Sequence, residues 1–152
     1  MDNLAHTLAG ATLAQTGLRR LTPLAAPTLL IGANLPDIDA VAALWGGDVG
    51  LCVRRGWTHG VLAMVVLPLA LAGVMWLVER LRRAPSAEPA RAVPLIGLAL
   101  LSTWSHPALD WLNTYGVRLL MPFSGRWFYG DAVFIIDPWL WLLLGAAAVL
   151  AS

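Results

Sequence analysis

Two ionisable residues one helical turn apart, His106 and Asp110, are the clearest candidates for chemistry in the sequence. An imidazole and a carboxylate at positions i and i+4 lie on the same face of a helix, where both can reach one cation. In a soluble helix the commoner interpretation is a core histidine beside a capping carboxylate. The surrounding segment is apolar, however, and an ionisable side chain inside a membrane span is costly unless it is paired. The pair is therefore predicted to bind a metal.

Two further carboxylates, Asp37 and Asp39, follow Pro36 at the expected end of a helix. On an irregular backbone, side chains two residues apart can turn toward a common centre, and a cation would relieve the repulsion between them. The alternative is a solvated helix-end loop, because Asp is a common cap residue. His59 opens one apolar segment and His6 lies in another. Taken alone, each of these two histidines is an ordinary interfacial residue.

Together these residues comprise all three histidines of the chain, and the predicted metal ligands are His6, Asp37, Asp39, His59, His106 and Asp110. Neutral imidazole and carboxylate suit zinc or a similar divalent metal. Six groups exceed the three protein ligands typical of a mononuclear catalytic zinc site, so one or two ions are predicted. A metal-activated water would hydrolyse an ester or phosphoester there, with Asp39 as the carboxylate left over for general-base work.

The composition places the chain in a membrane. It has 152 residues, of which 59% are hydrophobic and 12% charged, and a mean hydropathy of +0.71. A span needs roughly 20 apolar residues. The prediction is an all-α fold, a polytopic transmembrane bundle with about four to five helices, forming one domain over residues 1–152. The ten basic residues are all arginines scattered along the chain, which excludes the basic stripe of a nucleic-acid binder.

Hydropathy predicts the positions of the elements. Residues 60–78 and 92–109 contain no Asp, Glu, Lys or Arg and are predicted as spanning helices. Pro36 is expected to break or kink an earlier helix. The final apolar run stops without a flanking anchor, which is consistent with truncation of a longer natural protein. The remaining predictions are helices over residues 4–18, 21–33 and 132–151, loops over residues 46–56 and 116–130, and a Pro/Ala/Ser linker up to Arg91.

Alternating helices bring all six predicted ligands to one membrane face, here called face A. Six arginines fall at the opposite face, face B, and four at face A. By the positive-inside rule face B is cytoplasmic and the site is extracytoplasmic. The N-terminus lacks the basic region of a cleavable signal peptide, and the single cysteine, Cys52, cannot form an intrachain disulfide.

An aromatic loop over residues 123–131 supplies further candidates. Its Arg126 is predicted to grip a phosphate headgroup, against the alternative of an ordinary interfacial anchor. Asp131 and Asp137 are predicted near face A, as catalytic proton acceptors or as partners of a ligating histidine. Asp137 precedes Pro138, so the alternative for this residue is a cap of the last helix.

Several blocks of the chain resemble the YdjM-type family of bacterial inner-membrane metal-dependent hydrolases. The resemblance covers nearly the whole length. It lies in Met1-Asp2-Asn3-Leu4-Ala5-His6-Thr7, Ala33-Asn34-Leu35-Pro36-Asp37-Ile38-Asp39, Arg55-Gly56-Trp57-Thr58-His59, Ser105-His106-Pro107-Ala108-Leu109-Asp110 with the following Trp111-Leu112-Asn113-Thr114-Tyr115-Gly116, and Pro122-Phe123-Ser124-Gly125-Arg126-Trp127-Phe128-Tyr129-Gly130-Asp131.

The resemblance implies a multi-spanning bundle in the bacterial inner membrane and a divalent metal at the six positions already named. The His/Asp pattern is also distantly similar to that of zinc-dependent phospholipase C, which implies a lipid or lipid-linked substrate. Asn113, in the fourth block, is predicted to bind substrate together with Arg126. Many members are longer than this chain and carry an additional C-terminal region.

Two other classes of function remain open on the sequence. Intramembrane His and Asp residues could line an ion or proton path in a transporter, although the span over residues 60–78 is bare of such groups. Alternatively, the protein is a non-catalytic membrane subunit in which the metal only holds helices together. A hydrolase acting on a membrane-borne ester or phosphoester is the leading hypothesis.

Overall fold

The computed structural model describes residues 1–82 and 91–151, and it is all-helical, which confirms the predicted fold class. The described residues form six α-helices rather than four to five, because one short helix lies within a stretch predicted as a loop. Most of the predicted linker before Arg91 lies outside the described residues. The helices are α1 (Asn3–Gln15), α2 (Ala25–Asn34), α3 (Gly47–Val53), α4 (Ala63–Arg82), α5 (Ala92–Leu112) and α6 (Pro138–Leu150), with 3₁₀ segments at Leu18–Arg20 and Leu35–Trp45.

Two of the sequence-predicted boundaries are wrong. The stretch predicted as a Gly-rich loop over residues 46–56 contains α3, which packs on the 3₁₀ segment Leu35–Trp45. The last helix begins at Pro138 rather than at residue 132, because the Asp137 side chain accepts hydrogen bonds from the backbone N–H groups of Trp139 and Leu140 at 3.0 and 3.1 Å. Helix initiation follows this N-cap instead of the apolar run before it.

Of the described helices, α4 and α5 are long and apolar enough to cross a membrane. Each contains a proline, and Pro68 in α4 cannot donate to the carbonyl of Met64 four residues earlier. The indole N–H of Trp104 in α5 donates to that carbonyl at 2.8 Å. A neighbouring helix therefore satisfies the backbone group that the proline leaves unpaired, as an apolar surrounding requires.

The helix α5 packs against both α2 and α4, and these are the two largest helix–helix interfaces of the bundle. Leu71, Met75, Leu95 and Ala99 form the apolar core between α4 and α5. Against α2 the approach is closer, because Gly32 has no side chain and a Cβ atom there would overlap the Ser102 hydroxyl. Small residues at such interfaces let helix backbones come together.

The two ends of the bundle differ in their polar residues. At one end the Thr22 hydroxyl donates to the Glu79 carboxylate at 2.9 Å, which joins the segment after α1 to the last turns of α4. At the other end, the start of α1, the 3₁₀ segment after α2 and the last turns of α5 converge. The buried histidines and carboxylates lie at this second end.

Candidate metal centre

The structure brings six sequence-predicted side chains into one buried group, here called the His/Asp cluster. The three imidazoles are fully buried, and the carboxylate residues are at most 6% exposed. Four separate parts of the chain contribute to the group, so its proximity depends on the whole bundle. Its members are His6, Asp37, Asp39, His59, His106 and Asp110.

His59 and His106 approach each other through their Nε2 atoms, which are 3.1 Å apart. On His106 the other nitrogen, Nδ1, lies 2.7 Å from the carbonyl oxygen of Ala33. A carbonyl can only accept, so Nδ1 carries the proton and Nε2 of the neutral ring presents a lone pair. The carbonyl of Ala33 thus fixes the tautomer of His106 with its basic nitrogen facing His59.

The outer nitrogen of His59 is held in a similar way. Thr58 donates its hydroxyl proton to Asp39 Oδ2 at 3.0 Å, and the same hydroxyl oxygen lies 3.0 Å from His59 Nδ1. Because the hydroxyl proton is already used, this contact is satisfied when Nδ1 donates to the oxygen. Burial, followed by the nearby His106, lowers the pKa of His59, so its ring stays neutral with a lone pair on Nε2.

Carboxylate oxygens surround these two lone pairs. Asp110 Oδ2 is 3.3 Å from His59 Nε2 and 3.5 Å from His106 Nε2, and Asp37 Oδ1 is 3.8 Å from His106 Nε2. Two lone pairs and two anionic oxygens cannot hydrogen-bond to one another without an added proton or cation. A divalent cation fits the chemistry of this donor set.

Unpartnered atoms support the same fit. Both nitrogens of His6, both oxygens of Asp37 and Oδ2 of Asp110 are buried without a hydrogen-bond partner among the described residues. Buried polar atoms are nearly always satisfied, so a group of five such atoms needs an explanation. Two sets of three residues could each hold a metal ion, because within each set the ligand atoms lie within 4.8 Å of one another. The first set is His6, His106 and Asp110, and the second is Asp37, His59 and His106. His106 belongs to both sets.

All three residues of the first set are fully buried. The rings of His6 and His106 stack with their centroids 3.6 Å apart, and His6 Nε2 is 3.4 Å from Asp110 Oδ1. The amino group of Met1 also contacts Asp110 Oδ1. Asp110 therefore contacts both histidine pairs and the amino group of Met1, which places it at the centre of the cluster.

Asp39 occupies a different position from Asp37. Its Oδ2 accepts from the backbone N–H of Arg55 at 2.7 Å and lies 3.5 Å from His59 Nδ1. It therefore lies behind His59, where a carboxylate orients a ligating imidazole. Burial raises the pKa of both Asp37 and Asp39, partly opposed at Asp37 by Arg54. A cation close to these carboxylates would keep them ionised.

Arg55 is the functional residue that sequence reasoning missed. It is 2% exposed, and its guanidinium donates to Asn113 Oδ1, to the carbonyl of Gly116 and to the carbonyl of Met1. The same guanidinium lies 3.4 Å from Asp110 Oδ1. The sequence assigned it no role beyond membership of the block Arg55-Gly56-Trp57-Thr58-His59. One feature of the sequence could have indicated its role, because Arg55 lies four residues before His59 and this block has an ionisable residue at each end.

The remaining predicted site residues lie around the cluster or apart from it. Asn113 is buried and accepts hydrogen bonds from Arg55, Tyr115 N and Gly116 N, so it closes the turn after α5. Arg126 is exposed, and its guanidinium lies 5.3 Å from the ring centroid of Phe128. Asp131 is exposed with a φ of 49°, and Asp137 caps α6.

Comparisons with known proteins agree with the resemblance noted from the blocks. A family model described as the YdjM inner membrane protein matches residues 1–152. An uncharacterised protein of Bacillus subtilis (strain 168), YfhP, is 26% identical over 152 aligned residues, covering 93% of this chain. The chain spans 43% of the length of that relative. No solved structure matches the chain significantly.

Proposed function

The chain belongs to the YdjM inner membrane protein family, and we propose that it is a membrane-embedded metal-dependent hydrolase of a lipid-borne ester or phosphoester. The observation that carries the proposal is the approach of His59 Nε2 and His106 Nε2 to 3.1 Å beside carboxylate oxygens in a buried site. When bound, one or two divalent ions, with zinc the best candidate for these donors, would supply Lewis acidity and activate water.

The residues of the chain divide the work. Asp37, His59 and His106 would hold one ion. Because Nδ1 of His106 donates to Ala33, His106 has one lone pair for a metal, so His6 and Asp110 would either share that ion or hold a second one without His106. Asp39 orients His59, and its Oδ1 has no hydrogen-bond partner among the described residues. That free oxygen can accept a proton during hydrolysis. The buried surroundings strengthen electrostatic interactions inside the cluster.

A multi-pass arrangement with the cluster at the extracytoplasmic side is part of the proposal. Six of the ten arginines lie at face B in the predicted topology. Of the four at face A, Arg55 is buried, and Arg118 donates to the carbonyls of Cys52 and Arg54. Fewer than four arginines are therefore free to face solvent at face A, and this favours a cytoplasmic face B.

Cys52 gives a direct test of this orientation. It is a free, exposed thiol in α3, on the cluster side of the bundle. A membrane-impermeant maleimide should label it in intact spheroplasts. In a Cys52→Ser background, Arg20→Cys at the opposite end should be labelled only after lysis. The reverse pattern would overturn the proposed orientation.

Metal analysis and turnover test the enzymatic proposal together. Protein purified without chelator should contain close to one or two equivalents of a divalent transition metal and should hydrolyse short-chain phospholipid or fatty-acyl ester in mixed micelles. A chelator should abolish hydrolysis, and re-addition of zinc should restore it. A wild-type protein that is folded and free of transition metal would overturn the proposal.

A structural metal is the alternative that this experiment separates from catalysis. The specific observation in its favour is that the ligands come from four segments of the chain, so an ion would cross-link the bundle. In that case chelation should lower the unfolding temperature strongly, while no ester or phosphoester is hydrolysed under any condition.

A further inference from the structure

Arg54 and Arg55 are neighbours in sequence but differ in how their guanidinium groups are satisfied. Arg55 is buried and donates to three oxygen acceptors. The Arg54 side chain is 33% exposed, and its nearest carboxylate oxygens, Asp37 Oδ1 and Asp39 Oδ1, are both 3.8 Å away. Over the described parts of the chain its guanidinium makes no hydrogen bond. Its five N–H donors are therefore available at the edge of the His/Asp cluster.

The backbone of Arg54 is fixed although its side chain is not. Its N–H donates to the carbonyl of Gly50 at 2.9 Å, which ends α3, and its carbonyl accepts from the Arg118 guanidinium at 2.8 Å. Arg118 in turn lies 5.0 Å from the ring centroid of Trp127. The fixed backbone keeps the guanidinium at the edge of the His/Asp cluster, so only the side chain must become ordered when it binds a ligand.

We propose that Arg54 forms an anion-binding subsite that holds the phosphate group of the substrate against the His/Asp cluster. The inference rests on the proposed function and narrows its substrate to a phosphoester. A guanidinium presents paired N–H donors that match two oxygens of one phosphate. A neutral carboxylic ester offers no counter-charge to Arg54. A metal ion bound by Asp37 would partly neutralise that carboxylate and so weaken the ion pair between Asp37 and Arg54.

Arg126 supplies the matched comparison, because the sequence favoured it as the phosphate-binding residue. Its guanidinium lies over Phe128 in an exposed loop. Unlike Arg54, it makes no ion pair with a cluster carboxylate in the described structure. Removing either arginine deletes one positive charge from the same face, so the two variants differ in position and not in net charge.

Phosphate binding tests the subsite without requiring turnover. Zinc-loaded wild type, Arg54→Gln and Arg126→Gln would be titrated with inorganic phosphate in a maltoside detergent, with ³¹P line broadening and calorimetry as readouts. Loss of a charge-assisted hydrogen-bonding partner predicts about a tenfold or greater loss of phosphate affinity for Arg54→Gln. Affinity should stay within about twofold for Arg126→Gln, where only a distant, screened charge is lost. Arg54→Lys should recover part of the affinity, since it restores the charge but not the paired donors.

Two further arms separate the source of the phosphate. Titration with glycerol 3-phosphate and with phosphatidylglycerol in mixed micelles should both depend on Arg54 if the headgroup phosphate alone is recognised. Dependence limited to the micelle arm assigns the subsite to a lipid headgroup, and dependence limited to the soluble arm assigns it to a free phosphate ester.

The subsite fails if Arg54→Gln binds phosphate as the wild type does, or if Arg126→Gln loses as much affinity. Zinc content and unfolding temperature of Arg54→Gln should match the wild type, so that weaker binding is not a folding defect. Arg54-dependent phosphate binding without hydrolysis of any ester would overturn the hydrolase while leaving the subsite. Hydrolysis that is indifferent to Arg54 would overturn the subsite while leaving the hydrolase.

Discussion

The two long apolar helices, α4 and α5, have similar lengths of 20 and 21 residues but bury different kinds of residue. The buried positions of α4 are Pro68, Leu71, Ala72 and Met75. Those of α5 include four polar residues, namely Ser102, Thr103, His106 and Asp110. In α4 only 22% of the most apolar stretch is buried, against 39% in α5, so α4 presents most of its surface outward.

The difference indicates that ionisable side chains in an apolar chain lie where neighbouring helices can bury them. The hydropathy of the helix itself matters less. The helix α5 packs against both α2 and α4 and can surround its polar side with protein. An ionisable residue on the outward side of α4 would face lipid without a partner, at a cost of about 3 kcal/mol at the membrane centre. Of the two long helices, α5 is therefore the one that can carry ionisable residues of the cluster, His106 and Asp110.

The largest effect is expected at His106, which both ligand sets share. His106→Gln should reduce zinc affinity more than about a hundredfold, because loss of an outer-shell partner alone costs about 10–100-fold. Competition with a chromogenic chelator measures the affinity. Gln keeps much of the side-chain volume, so the loss would reflect the missing imidazole and not a cavity.

Met75→Ala is the matched test on α4. This variant removes a buried side chain from the apolar core that α4 shares with α5. It should cost about 2–5 kcal/mol of stability but leave zinc affinity within about threefold, because Met75 lies at a distance from the cluster. Equal loss of zinc in both variants would mean that α4 and α5 do not differ in role.

Arg55 comes next, because it ties the polar end of α5 to the segment before His59. Arg55→Met should lower the free energy of unfolding by about 3–5 kcal/mol, since it removes the cation beside buried Asp110 and the donor to the carbonyls of Gly116 and Met1. Urea unfolding in detergent, followed by tryptophan fluorescence, measures it. Arg54→Gln should change stability by less than about 1 kcal/mol, because its ion pairs are long and part-exposed. Similar losses from the two arginines would contradict the assignment of Arg55.

The members of the cluster could be named from the sequence because ionisable residues are few in an apolar chain and each is costly there. His106 and Asp110 share a helical face by spacing alone. The other members were placed by a predicted alternation of helix direction, and the structure brings them to the same end of the bundle. The all-α fold followed from the same information, since a lipid surrounding requires backbone groups to be satisfied within helices.

The roles of Arg54 and Arg55 could not be predicted in that way. The two residues are identical in type and adjacent, and contacts with residues about sixty positions away bury one and leave the other part-exposed. The start of α6 was missed for a different reason. An apolar run at residues 133–136 suits a helix or an extended segment equally, and the deciding signal is the N-cap Asp137 before Pro138.

Two glycines sharpen the comparison of the helices at smaller energies. Gly32→Ala should destabilise the protein by about 1–3 kcal/mol, because its Cβ would overlap the Ser102 hydroxyl on α5 and force α2 away. Gly73→Ala on α4 should instead stabilise by about 0.5–1 kcal/mol, because its Cβ meets open space and Ala favours the helix. Thermal unfolding measures both. A Gly32→Ala variant as stable as the wild type, or more stable, would show that α2 and α5 do not pack this closely.

Gly32→Ala should also weaken zinc binding, and Gly73→Ala should not. The carbonyl of Ala33, which fixes the tautomer of His106 at 2.7 Å, is adjacent to Gly32. A separation of α2 from α5 would lengthen that hydrogen bond. Loss of the acceptor that binds the non-ligating nitrogen of a metal-bound histidine lowers metal affinity by about tenfold or more. Unchanged zinc affinity in a destabilised Gly32→Ala would separate packing from tautomer control.

The smallest effect is expected where α4 and α5 exchange a single hydrogen bond. Trp104→Phe removes the indole donor to the carbonyl of Met64 and should cost about 1 kcal/mol. Pro68→Ala supplies a backbone N–H to the same carbonyl, so in that background Trp104→Phe should cost clearly less. A double-mutant cycle of unfolding free energies isolates the coupling between the two positions. If the two free-energy costs are additive, the indole packs against α4 without donating to the Met64 carbonyl that Pro68 leaves unpaired. The helices α4 and α5 would then stabilise each other only through apolar contacts.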